Sequence, residues 1–90
     1  MSGETRDVRL KRLKMRSMRR GILEMDLILG AFSETELVAK SGAELDLYDA
    51  LLSENDHDLY QWVTGQADSP PRFAGLVAEI AAHQAARTGN

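Results

Sequence analysis

The chain contains no cysteine, so it has no disulfide framework, no thiolate metal site and no cysteine nucleophile, and its stability must come from packing. That usage suits a reducing compartment. Nor is there a run of about 18 apolar residues to cross a membrane, or the apolar core of a secretory signal in the opening residues. A soluble, unexported protein without membrane insertion is expected. Histidine is scarce: His57 and His83 are too far apart in sequence to form a His-x-x-x-His ligand pair, and both read as partly exposed helix residues. No G-x-S-x-G elbow, Walker glycine loop or dinucleotide fingerprint occurs. An enzyme is therefore not expected, and no residue is assigned a catalytic, metal-binding or cofactor-binding role. No segment alternates apolar and polar residues at period two, which removes the signal for strands and leaves an all-α protein, a small five-helix bundle.

What the sequence does have is an uneven charge distribution. Residues 1–20 hold eight Lys/Arg and two acids, while residues 21–90 hold three Lys/Arg and twelve acids. Such a split implies either a basic arm that meets phosphate or an acidic surface, or one that neutralises the chain's own acidic part. Nucleic-acid binding through Arg6, Arg9, Lys11, Arg12, Lys14, Arg16, Arg19 and Arg20 is the alternative function this raises. It is weakened by the acidic remainder and by the absence of a recognition motif.

Ninety residues make one modest core. Residues 1–7 read as a flexible tail, 8–87 as the helical-bundle domain and 88–90 as a frayed end. Val8, Leu10, Leu13, Met15 and Met18 place a first amphipathic helix over 8–19. Ile22, Met25, Leu29 and Phe32, widened by Leu23, Leu27 and Ile28, give a central second helix, which runs on toward Ala39 as one long, kinked element despite Gly30 and the Ser33-x-x-Glu36 capping signal.

The capping box Ser41-Gly-Ala-Glu44 opens a third helix over 42–53, and Asp56 reads as the N-cap of a short fourth that Gly65 ends. Ser69 before Pro70 opens a fifth. Tyr48 and Trp62 read as core, the tyrosine with its hydroxyl reaching outward. The carboxylates Glu54, Asp56 and Asp58 lack the glycine and late glutamate of an EF-hand loop, and helix capping explains them.

RRGILEMD, Arg19 to Asp26, stands apart. A glycine inside a helix costs about 1 kcal/mol relative to alanine. An exposed Arg20–Glu24 pair would return only about 0.3 to 0.5 kcal/mol. Gly21 is either the C-cap of the first helix, with Arg19 and Arg20 at its negative end, or a bare spot that lets another chain approach between an arginine and a carboxylate. Both readings can hold.

Arg20-Gly21-x-x-Glu24, the L-L-x-x-x-D run from Leu51 to Asp56, and D-x-D-L-Y-x-W from Asp56 to Trp62 stand in the order and at the distances of a known family. In these residues the chain resembles the small flavin assembly factors of succinate dehydrogenase, bacterial and mitochondrial, known by their RGxxE motif. The resemblance covers most of the chain and departs from the family in the alanine-rich last helix and the very basic first one. It implies a chaperone that binds the flavoprotein subunit of succinate dehydrogenase or fumarate reductase and promotes covalent attachment of FAD. The factor holds no cofactor stably, and FAD is delivered to or matured in the partner. By position, Arg19, Arg20, Gly21, Glu24 and Asp26 form the partner-binding patch. The implied protein binds no nucleic acid and is a monomer when free. A bacterial cytoplasmic location is expected, with the mitochondrial matrix as the alternative.

Overall fold

Thr5 starts the first helix, because its side chain accepts a hydrogen bond from the Val8 N–H and satisfies a donor the helix itself leaves open. In the computed structural model, which describes residues 4–88, helix α1 therefore spans Arg6–Met18, two residues ahead of the expected start. Residues 1–3 and 89–90, where part of the expected tail and fraying falls, lie outside the described residues. Helix α2 covers Leu23–Glu36 and tightens into a 3-10 turn at Leu37–Ala39. Ser33 opens no new helix there, since its hydroxyl donates back to the Gly30 carbonyl. Helix α3, Gly42–Leu51, begins at the capping box read from the sequence, with Ser41 and Glu44 bonded reciprocally.

Helix α4, Asp56–Val63, is capped by Asn55 and not by Asp56: the Asn55 side chain accepts from the His57 and Asp58 N–H groups. Gly65 follows it with φ of 81°, a left-handed turn no side chain favours. The proline pair shifts the next start. Pro70 precedes a 3-10 turn at Pro71–Phe73, and helix α5 runs from Ala74 to Thr88. Among the described residues all regular structure is helical.

The apolar faces meet in one core centred on Leu13, Met25, Leu29, Phe32, Leu45, Tyr48, Leu51, Leu59 and Ile80, all with 0% exposure. Phe32 stacks on Tyr48 at 5.8 Å between ring centroids. The Tyr48 hydroxyl does not reach outward; it pairs with the Ser17 hydroxyl at 2.6 Å, and Ser17 in turn donates to the Leu13 carbonyl of α1. Burial pushes the Tyr48 phenol up to about 12. Trp62 is half-buried, stacked on Phe73 at the edge of the core. His57 is exposed, while His83 packs edge-on against Phe32 and shares a hydrogen bond with Thr35.

α1 and α2 lie against each other, with Gly30 at the contact: a Cβ there would come within 3.3 Å of the Met18 side chain. The cations of α1 turn toward α3. Arg9 pairs with Asp46, Arg12 and Arg16 both bind Asp49, and Arg12 also holds Glu4. Lys14 pairs with Glu34 of α2. Four of the eight N-terminal cations thus find carboxylates on α2 and α3.

Candidate functional site

α1 ends at Met18, and Arg19 leaves it in a conformation that is neither helical nor extended, φ −125° and ψ 57°. Gly21 is therefore not a left-handed C-cap; the chain crosses through residues 19–22 and re-enters helix at Leu23 with Ile22 extended as the N-cap. Two carboxylates hold this crossing. Asp26, in the first turn of α2, accepts from the Arg20 N–H, close to the positive end of its own helix. Asp56, the first residue of α4, reaches across and accepts from one side-chain and one backbone donor: Oδ1 from Arg20 Nε at 2.6 Å and Oδ2 from the Gly21 N–H at 2.7 Å.

The Arg20 guanidinium also donates to the Leu52 and Glu54 carbonyls, at 2.7 and 3.1 Å, just past the end of α3, where carbonyls have no helical partner and the dipole favours a cation. Its side chain is only 9% exposed. Arg20 is thus a strut joining α1, α3 and α4. The Arg20–Glu24 ion pair weighed from the i,i+4 spacing does not form, because a better-buried partner on another helix takes the guanidinium.

Gly21 is explained by the same clasp. A Cβ on it would lie 3.3 Å from Asp56 Oδ2, tighter than ordinary contact, so the missing side chain makes room for a carboxylate of the chain's own α4. The expected patch therefore divides. Arg19, Gly21 and Glu24 are exposed, Asp26 is half-buried, and Arg20 lies mostly beneath them. No His, Asp or Glu group among the described residues is arranged to hold a metal ion. The corner can present a fixed backbone spot and a carboxylate to another surface.

A sequence profile described as "flavinator of succinate dehydrogenase" matches residues 11–84. The chain belongs to that family. Among curated flavinator relatives, the "Succinate dehydrogenase assembly factor 2, mitochondrial" of Meyerozyma guilliermondii is 46% identical over 70 residues, 78% of this chain and 52% of the relative. The protein of the same name from Schizosaccharomyces pombe is 42% identical over 72 residues, 80% of this chain and 52% of the relative. That from Danio rerio is 36% identical over 81 residues, 88% and 51%. The chain spans about half the length of the curated relatives it matches. Those relatives are named mitochondrial, and the names lend no support to the cytoplasmic location expected from the sequence.

Two features of this flavinator-family chain escaped the sequence reading. Asp56 read as a helix cap, although its place in D-x-D-L-Y-x-W, at a fixed distance from Arg20-Gly21, was the available signal. Leu23 and Leu27 read as core yet stand 68% and 58% exposed. Their position off the Met25/Leu29/Phe32 stripe pointed outward.

Proposed function

We propose that this chain is an assembly factor that docks onto the flavoprotein subunit of succinate dehydrogenase, or of the related fumarate reductase, and promotes covalent attachment of FAD to it. Family membership supports the enzyme served. The observation that carries the docking site is the division within Arg20-Gly21-x-x-Glu24. Asp56 and Asp26 lock the backbone from beneath, while Gly21 and Glu24 face solvent beside Arg19.

A contact surface fixed before binding loses little freedom when the partner arrives, which favours affinity and a defined orientation. The chain contributes no catalytic group. Bond formation belongs to the flavin and the receiving histidine of the partner, and the factor's part is to hold that subunit in an arrangement where they meet. FAD is matured in the partner and is not carried as a resident cofactor. The free factor is a monomer of the mitochondrial matrix, and the relatives' names support a mitochondrial location over a cytoplasmic one.

The test is complementation in cells deleted for the factor, reading flavin fluorescence of the denatured flavoprotein subunit in a gel. Glu24→Ala should reduce the signal severalfold with an unchanged helical circular dichroism spectrum, since an exposed carboxylate contributes little to folding. Gly21→Arg should abolish the signal while the bundle stays largely folded. Full flavinylation by a folded Gly21→Arg protein would show the site to be misassigned.

A further inference from the structure

Leu23 and Leu27 lie one turn apart on α2, a helix whose other large apolar side chains fill the core, yet both remain largely in water. Leu27 lines a groove of about 450 Å³ between α2, α4 and α5, together with Glu24, Tyr60, Val63 and Ala81. On its other side Leu27 lines a second depression of about 350 Å³, shared with Met18 and Asp26. The leucine is thus a ridge between two hollows. Glu24 belongs at once to the first hollow and to the exposed face of the Arg20-Gly21-x-x-Glu24 corner, so the apolar and charged surfaces are continuous. No ion pair engages the Glu24 carboxylate among the described residues.

We infer that the docking surface extends from the charged corner over the Leu23/Leu27 ridge into this groove, and that its occupant is a segment of the flavoprotein subunit presenting an apolar side chain next to a basic one. The inference rests on the function proposed above and gives it a second, chemically distinct half. Water-exposed leucines beside a concave apolar lining favour burial of an apolar partner group, which supplies affinity. An unpaired carboxylate on the rim favours Lys or Arg alongside it, which fixes register and penalises a partner with an acid in that place.

The test is calorimetric titration of the full chain with flavoprotein subunit purified from cells lacking the factor. The variants are Leu23→Gln/Leu27→Gln, Glu24→Ala and, as a control on another surface, Val38→Gln. Glutamine keeps helix propensity and leaves the charge unaltered. The double variant should bind about tenfold more weakly or worse, with helical content and melting temperature close to those of the parent, and Val38→Gln should bind as the parent does. Parent-like binding by the double variant overturns the inference. In that case weakened binding by Glu24→Ala leaves the function proposed above standing, whereas parent-like binding by both removes it as well. Sedimentation in the absence of partner covers the other occupant: a parent dimer that the double variant converts to monomer, with no loss of flavoprotein binding, makes the groove a self-contact and overturns the inference.

Discussion

At the scale of single residues, Arg20 and Asp56 show why a motif is only half an explanation. The spacing of Arg20 and Glu24 invites a local pair, and a local pair is what sequence arithmetic can see. The partner that takes the guanidinium is 36 positions away on another helix. Replacing Arg20 by alanine leaves a mostly buried carboxylate and two carbonyls without their donor, so it should destabilise the fold by about 2–3 kcal/mol. Chemical denaturation checks this, and a double-mutant cycle with Asp56→Ala should show strong non-additivity. An Arg20 variant that loses flavinylation is therefore a poor probe of docking, whereas Glu24 is a clean one. The glycine, the arginine and the glutamate were legible as a motif. Their separation into a strut and a presented face was not, because burial depends on how three helices meet.

At the scale of elements, the helices were legible because stripes at 3.6-residue period and side-chain caps are local. Ser41 with Glu44 and the left-handed Gly65 fell where they were read. Boundaries moved where two neighbours compete for one role: Asn55 displaced Asp56 as cap, and consecutive prolines imposed a 3-10 turn ahead of α5. Pairing between elements was harder to read. The basic face of α1 is matched to carboxylates of α3, and Asp49 receives both Arg12 and Arg16.

Hydrogen bonding from Arg12, with the charges of Arg12 and Arg16, holds the Asp49 carboxyl below the ordinary carboxylate range. A carboxyl whose native pKa is depressed stabilises the fold above its unfolded pKa, about 3.9, and that contribution is lost as pH falls toward the native value. Glu4 and Glu44 are lowered as well, by bonds from Arg12 and Ser41, and act in the same direction. The melting temperature should therefore fall below about pH 4. Asp49→Asn should melt lower than the parent at pH 7, with the gap narrowing on acidification. A gap that stays constant with pH would mean the Arg12–Asp49–Arg16 cluster contributes nothing through charge.

At the scale of the whole molecule, one small core supports a surface on which five of the eight N-terminal cations are matched to carboxylates of the later helices. The corner of Arg19, Gly21 and Glu24 stands exposed beside its leucine ridge, and it is the surface proposed above to meet a partner. The Ser17–Tyr48 pair at 2.6 Å shows how tightly α1 is keyed into that core. Ser17→Ala should strand the tyrosine hydroxyl and lower stability by about 1–2 kcal/mol without touching the Arg19, Gly21 and Glu24 corner, while Tyr48→Phe in the same background should restore part of it.

Hydrogen–deuterium exchange of the full chain, alone and with the flavoprotein subunit of succinate dehydrogenase, tests the central claim most directly. Docking through the corner predicts new protection concentrated at residues 19–27 and the adjoining faces of α4 and α5, with the outer face of α1 unchanged. Protection gained along α1 instead, with residues 19–27 exchanging as in the free chain, would contradict it.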